Sequence, residues 1–170
     1  MNDTLSHTEF DKIEADLKHT IEEKGFVQED KRMNRMTQTL PGHFIIIEQA
    51  VLNQLREQPV LDKYKDDSRR MYSSFRRAMS EAKTDPNSRR LMVFNDSKYD
   101  KIYQCFTTFQ FVYTHRNEFD MYVYQRSADL AKFKDDLTFF AHQMKKFEKG
   151  TAQPVTKLVV VYGSVHYEIK

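Results

Sequence analysis

The stretch that predicts the fold of this 170-residue chain is residues 105–129, CFTTFQFVYTHRNEFDMYVYQRSAD. Polar and apolar residues alternate in both halves, which is typical of β-strands with one face against a core. The segment Thr114-His115-Arg116-Asn117 between them predicts a hairpin turn. Because alternation directs every second side chain to one face, we expect a thiol, an amide, a guanidinium, a hydroxyl and a carboxylate close together. The stretch therefore predicts a site for a small polar ligand.

The composition is that of a soluble globular chain, with 39% apolar and 31% charged residues. Thirteen Phe and nine Tyr against four Gly and four Pro favour packed structure over disorder, and the length predicts one domain over residues 1–170. The formal net charge of +2 gives no strong field for nucleic acid. The single Cys105 excludes an internal disulfide, and no apolar run reaches the length of a membrane span. Because the first residues also lack a signal peptide, the sequence predicts a cytoplasmic protein.

Helical and irregular segments are predicted in the first half. Residues 5–24 carry apolar residues at helical spacing, and Gly25 is placed to end that helix. Residues 26–42 show no period and predict a loop, which is either simply solvated or uses Arg32 or Arg35 to bind an anion. An apolar run at residues 44–47 becomes helical by Ala50.

The remaining elements predict an α/β fold with strands concentrated in the second half. A helix is expected over residues 68–83, beginning at a Ser68 cap, and a second over 132–149. Strands are expected at residues 91–94 and 158–169. Four arginines of the helix expected over residues 68–83 form a basic stripe, which is either a solvated face or a contact for phosphates: Arg69, Arg70, Arg76 and Arg77.

The absence of several common functional motifs excludes most kinds of site. One cysteine with dispersed histidines excludes a zinc finger, and the chain has no glycine-rich phosphate loop, dinucleotide fingerprint or Gly-x-Ser-x-Gly elbow. On its residues alone, Cys105 is either a buried small apolar side chain or a nucleophile whose partner is distant in sequence.

Four blocks in the second half follow the order of motifs in one enzyme family. They are DPNSRR at residues 85–90, Cys105 followed by Gln110 and Phe111, YQRSAD at residues 124–129, and GSVH at residues 163–166. In these blocks the chain resembles the thymidylate synthase family, which includes the pyrimidine nucleotide hydroxymethylases. The resemblance implies a thymidylate synthase-like fold, a mixed sheet packed with helices. It covers residues 84–168 as a nucleotide-binding core, whereas residues 1–82 match weakly and are expected to be a helical region.

The resemblance implies a role for each matched residue. Cys105 would add to C6 of a pyrimidine nucleoside monophosphate, dUMP or dCMP, with nearby positive charge lowering its pKa. Methylenetetrahydrofolate would be the one-carbon donor. At the 5′-phosphate, the resemblance implies contacts from Arg126 and Ser127 of the same subunit and from Arg89 and Arg90 of the other subunit of a homodimer. Asp129 would contact base and cofactor, and His166 would contact the sugar. Two further implied substrate contacts are Gln110, in the nucleophile block, and Arg35, in a faint match to the family's N-terminal phosphate loop.

Departures from the family pattern leave the nucleotide half of the site better preserved than the cofactor half. Gln104 and Phe106 replace the Pro and His that flank the family's nucleophile. Asp136 is placed where the family uses Asn for uracil and Asp for cytosine. The family's catalytic Glu has only Glu48 as a candidate, and the sequence ends at Lys170, where the family continues into a segment that closes over folate. We therefore interpret the chain as a divergent, truncated member.

Two functions follow from this pattern. The first is a pyrimidine nucleotide C5 methyl- or hydroxymethyltransferase. The second is an inactive relative that binds nucleotides as a regulatory or accessory protein. An interaction module built on the basic stripe is a third and unrelated possibility.

Overall fold

The computed structural model describes residues 5–95, 105–114 and 116–169. Within them, four α-helices and seven strands form a mixed α/β fold. The helices are α1 Leu5–Lys24, α2 Gln49–Glu57, α3 Lys65–Thr84 and α4 Phe133–Thr151. The strands are β1 Phe26–Asp30, β2 Arg35–Ile47, β3 Met92–Phe94, β4 Phe106–Tyr113, β5 Phe119–Gln125, β6 Ala128–Asp129 and β7 Val155–Glu168, and short 3₁₀ helices cover Asp62–Tyr64 and Leu130–Lys132.

One sheet contains all these strands, in the order β1-β2-β7-β5-β4-β3. Neighbouring strands are antiparallel except that β5 and β6 each run parallel to β7. Beyond the end of β5, the short β6 takes over its place beside β7 and pairs Asp129 with His166. The ends of β5 and β6 and the start of β4 therefore meet at one end of the sheet.

The helices cover one face of the sheet, and the core lies between them. In β4, Phe109 and Phe111 are fully buried, as the alternation predicts. The ring of Phe111 stacks on Phe147 of α4 with 3.7 Å between centroids, and Phe147 meets Phe75 of α3 edge to face. This aromatic core fixes α3 and α4 on the sheet.

The opposite face of the sheet carries exposed apolar side chains and is called the open face below. Phe44 of β2, Tyr124 of β5 and Val161 of β7 are each at least 40% exposed. They lie side by side, because the pairing register joins Phe44 to Val161 and Val161 to Tyr124. No described helix covers this face.

Several sequence predictions are confirmed. The first helix spans residues 5–24 as expected, and β4 pairs antiparallel with β5 as the predicted hairpin. The hairpin residue His115 and the predicted neighbour Gln104 lie outside the described residues. Within the described part of the chain, no helix is long and apolar enough to cross a membrane.

Two predictions about the first half are wrong. Residues 26–42 are not a loop but the β1–β2 hairpin, so residues 1–82 are not purely helical. The sequence there does not show the alternation of apolar and polar residues that is typical of strands. The reason is that β1 is an edge strand and that β2 buries the polar residues Thr37 and Thr39. Helix α3 begins at Lys65 rather than at a Ser68 cap, and its N-cap residue Tyr64 makes no side-chain capping bond.

Candidate functional site

A cleft of about 620 Å³ opens at the end of the sheet where β4 begins and β5 ends. Its volume lies in the range of ligand pockets for drug-sized molecules, about 300–1,000 Å³. It brings together seven of the residues predicted from the sequence, namely Arg35, Cys105, Arg126, Ser127, Asp129, Asp136 and His166.

Backbone hydrogen bonds place the thiol beside the central arginine. The amide N–H of Arg126 donates to the carbonyl of Cys105 at 2.6 Å, and the N–H of Ser164 donates to the carbonyl of Arg126 at 3.0 Å. Gly163 of β7 allows this approach, since a Cβ there would lie 2.6 Å from the Arg126 carbonyl oxygen. Because backbone holds these residues, their side chains remain available to a ligand.

Cys105 is exposed and lines the cleft. Burial of its thiol raises the pKa of Cys105, and the negative charge of Asp136 raises it further. Arg126 and Lys132 act in the opposite direction without reversing the shift. Nearby positive charge thus acts to lower this pKa, as expected, but in the chain without ligand burial and Asp136 outweigh it and the pKa is raised.

Arg35 lies in the cleft at the centre of an ion-pair cluster. Its guanidinium nitrogens are 3.2 Å from Asp129 and 3.5 Å from each of Asp30 and Glu168. Nη2 also lies 3.4 Å from Nε2 of His166. Arg35 thus ties the β1–β2 hairpin to β6 and β7, and three carboxylates already share its charge.

His166 and Asp129 face each other across the β6–β7 pair. Burial lowers the pKa of His166, although the charge of Asp129 opposes the shift, so the imidazole is neutral at pH 7. One oxygen of Asp129 accepts from Nη2 of Arg35, and the other accepts from the Ala131 N–H at 3.1 Å. Both groups therefore have fixed orientations at this corner of the cleft.

Asp136 lies on the helical side of the cleft between two donors. The Tyr64 hydroxyl donates to its Oδ1, and the Gln125 side-chain N–H donates to its Oδ2 at 2.7 Å. Burial raises the pKa of Asp136, whereas these two bonds and the charge of Lys63 oppose that shift. The carboxyl group thus keeps a defined orientation in a partly apolar setting.

A second buried carboxylate, Asp67 of α3, also lines the cleft. Its Oδ1 accepts from Nη2 of Arg70 at 2.6 Å and from Nδ2 of Asn95 at 3.0 Å. The same Asn95 nitrogen donates to the Phe106 carbonyl at 3.2 Å, and the Asn95 oxygen accepts from Arg70. This cluster therefore fixes the backbone carbonyl of Phe106, the residue that follows Cys105.

Four predicted residues do not reach the cleft. Arg89 and Arg90 are exposed in the connection between α3 and β3. Gln110 alternates with buried Phe109 and Phe111, which places it on the open face. Glu48 caps α2 at the far end of the sheet, about five strand residues or roughly 16 Å along β2 from the register of Gln125. The expectation that Glu48 is a catalytic carboxylate is wrong on this geometry.

Sequence reasoning missed Tyr64, Asp67 and Lys132, which all line the cleft. Tyr64 and Asp67 lie just before the point at which the helix was expected to start. The signal available was the spacing of Asp67 and Arg70, because acidic and basic residues three apart on a helix are neighbours. Nothing in the sequence pointed to Tyr64. Within the described residues, no group of three or more His, Cys, Asp or Glu is placed to hold a metal ion.

Comparisons with known proteins give a family model and a solved structure that the chain matches. A family model described as thymidylate synthase matches residues 50–132. The fold is similar to that of thymidylate synthase from T4 phage, with a TM-score of 0.70 and 16% sequence identity, over 91% of this chain and 76% of the phage chain. No curated protein sequence matches the chain. The match over residues 50–132 and the similar fold therefore confirm the predicted resemblance to the thymidylate synthase family.

Proposed function

We propose that the cleft binds a pyrimidine deoxynucleoside monophosphate, dUMP or dCMP, and that the protein is a C5 methyl- or hydroxymethyltransferase in which Cys105 adds to C6 of the base. The observation that carries this proposal is the direct backbone bond between Cys105 and Arg126. It puts a nucleophile and a phosphate-binding cation at fixed positions in one cleft, together with Asp136 and His166.

The phosphate end of the proposed site is Arg126 with Ser127. Among the described residues, no carboxylate lies within ion-pair distance of Arg126, so its planar set of donors is open to an anion. Lys132 lines the same part of the cleft and adds a second positive charge. Arg35 is a weaker phosphate ligand in this proposal, because its charge is shared with three carboxylates.

The base and sugar then lie between the two sides of the cleft. Asp136 faces the Watson–Crick edge of the base, which follows from its place beside Cys105 and its free acceptor capacity. His166 takes the sugar hydroxyl, and Asp129 lies at the border of base and cofactor. These roles follow the family resemblance, and the common cleft supports them.

Addition of Cys105 to the base requires the bound ligand to lower the pKa of the thiol. In the adduct, the Cys105 sulfur bonds to C6, the thiol proton leaves to solvent, and the C5–C6 π electrons move toward C5 and the C4 substituent. The raised pKa of Cys105 means that little thiolate exists before binding. A base that contacts Asp136 and covers its charge lowers the thiol pKa, which couples binding to activation.

Methylenetetrahydrofolate is the one-carbon donor in the proposed reaction, as the family resemblance implies. The main cleft has the volume of one drug-sized ligand. An adjoining hollow of about 320 Å³ is lined by polar and charged residues. The main cleft supports the proposal of nucleotide binding, whereas the proposal of folate binding rests on the family resemblance.

The proposed enzyme is a homodimer formed through the open face. Exposed Phe44, Tyr124 and Val161 make a continuous apolar surface, and such surfaces mark contact sites. Arg89 and Arg90 do not reach the cleft of their own chain and would reach the phosphate of the partner. Mixing Arg126→Ala with Arg90→Ala protein should restore some binding sites, whereas mixtures that bind no better than either variant would contradict shared arginines.

A second candidate is a nucleotide-binding protein without turnover. Two observations favour it: the pKa of Cys105 is raised, and Glu48 is far from the cleft. The two candidates share the nucleotide site and differ only in whether the thiol reacts.

Release of tritium from C5-labelled dUMP and dCMP separates these candidates. An enzyme releases tritium, with or without methylenetetrahydrofolate, and Cys105→Ala abolishes the release while nucleotide binding remains. Arg69→Ala is the control, since this exposed arginine lies outside the cleft and should leave release unchanged. Tight binding without exchange, unaffected by Cys105→Ala, would establish the binding protein instead.

A further inference from the structure

The Asp136 carboxyl group is held from two sides by groups that no predicted role uses. Tyr64 precedes α3 and donates its hydroxyl hydrogen to Oδ1, and Gln125 ends β5 and donates an amide hydrogen to Oδ2. Both donors are almost completely buried, at 4% and 1% exposure. The Tyr64 ring also stacks on Phe139 with 4.6 Å between centroids, so its hydroxyl is fixed by packing. The two donors form a rigid cradle behind a cleft residue.

The cradle also determines which groups donate and which accept in the hydrogen bonds to Asp136. Burial raises the pKa of Tyr64 far above its usual range, so its hydroxyl stays protonated and acts as the donor. Gln125 is less constrained, because its Oε1 is buried and has no hydrogen-bond partner among the described residues. If the amide turned over, that oxygen would accept a proton carried by Oδ2 of Asp136. Gln125 therefore suits either protonation state of Asp136, whereas Tyr64 requires Oδ1 to be an acceptor.

Charged and titratable groups from every neighbouring element face Asp136. They are Lys63 and Tyr64 before α3, Asp67 of α3, Cys105 before β4, Asp135 of α4 and Tyr162 of β7. Lys63 pairs with Asp135 at 3.0 Å, so their charges largely offset each other. The two hydrogen-bond donors are therefore the specific control on this carboxyl group.

We propose that Tyr64 and Gln125 are positioning residues that decide which pyrimidine base the site selects, by fixing which oxygen of Asp136 accepts and which carries a proton. This inference rests on the proposed function. Uracil presents an N3–H donor beside the O4 acceptor, whereas cytosine presents the N3 acceptor beside an N4–H donor. A carboxyl group with one proton pairs with either edge through two hydrogen bonds, but in opposite senses. The acceptor that Tyr64 holds at Oδ1 therefore favours one base over the other.

The test compares wild-type protein with Tyr64→Phe, which removes one hydroxyl and keeps the ring. We expect the ratio of dCMP to dUMP affinity to change by up to roughly tenfold, since the hydrogen bond that holds Oδ1 as the acceptor is lost. The Tyr64 bond lowers the pKa of Asp136, so its loss should move the carboxyl titration, followed by carbon-13 NMR, to higher pH. Tyr113→Phe is the matched control, because its hydroxyl bonds Asn117 in the hairpin.

The outcomes distinguish a failure of this inference from a failure of the proposed function. Equal loss of both affinities in Tyr64→Phe, or an unchanged ratio, would overturn the selectivity role even if the variant remains folded by circular dichroism. If neither nucleotide binds wild-type protein, the proposed function fails and so does base selection. The NMR titration still decides whether Tyr64 controls Asp136, and an unchanged titration overturns the cradle by itself.

Discussion

The two walls of the cleft are built by different means. The sheet wall, residues 105, 126 and 127, is held by backbone hydrogen bonds, and its side chains are left to face the cleft. The helical wall, residues 64, 67 and 136, is held by side-chain bonds, and its polar atoms are largely occupied within the protein. The comparison teaches that the sheet wall has the capacity to hold a ligand, while the helical wall sets orientation and charge.

Breaking the helical wall should cost the most stability. Asp67→Ala removes the buried carboxylate that pairs with Arg70 and accepts from Asn95, so the free energy of unfolding should fall by about 3 kcal/mol. The measurement is urea unfolding. Asp66→Ala is the matched control, because its pair with Arg69 is mostly exposed and should contribute little. Equal losses in the two variants would contradict a structural role for the cluster.

Breaking the sheet wall should instead cost affinity. Arg126→Ala should weaken monophosphate binding by about 1.5–3 kcal/mol, since it removes charge-assisted bonds to the ligand. Its unfolding free energy should change by less than about 0.5 kcal/mol, because the side chain is exposed. Calorimetric titration and urea unfolding give the two numbers. A large loss of stability with unchanged affinity would reverse the contrast between the walls.

The backbone support of the sheet wall can be tested at Gly163. An alanine there would press its Cβ against the Arg126 carbonyl at 2.6 Å, and the expected cost is about 1–2 kcal/mol in unfolding together with weaker phosphate binding. Gly150→Ala serves for comparison, because the new Cβ meets only the flexible Met79 side chain. Monophosphate binding by Gly163→Ala that matches wild type would contradict a role for this close approach in the site.

The smallest expected effect is a shift in the thiol titration. Because burial and the charge of Asp136 raise the pKa of Cys105, its alkylation by iodoacetamide should accelerate only above the usual thiol range. Asp136→Asn removes a negative charge and should move that profile to lower pH. Its amide could also donate to the unpartnered Oε1 of Gln125, which favours folding. A profile that does not move would show that the helical wall leaves the thiol unaffected.

Much of the second half was predictable because its signals are local. The alternation in β4 and β5 places Phe109 and Phe111 in the core, and the order of short motifs brings Cys105, Arg126 and His166 to one cleft. Antiparallel pairing explains this result, since it returns the end of β5 to the start of β4. The alternation along the strands was sufficient for Phe109 and Phe111, whereas Cys105, Arg126 and His166 were identified by the family resemblance.

The first half was predicted poorly because its determinants are not local. β1 is an edge strand with exposed residues, and β2 buries Thr37 and Thr39, so neither shows alternating hydrophobicity. Tyr64 is identified only by its contact with Asp136, which lies 72 residues later. Glu48 was selected by residue type, and the sheet then carries it away from the thiol. Tertiary placement decided each of these cases.

Calorimetric titration of dUMP and dCMP beside the corresponding nucleosides tests the central claim most directly. The claim is that the sheet wall binds the phosphate while the helical wall determines which base is selected. The account predicts binding of at least one monophosphate, with most of that affinity lost in the nucleoside and in Arg126→Ala. Equal binding of nucleotide and nucleoside, or no binding of either monophosphate, would contradict it.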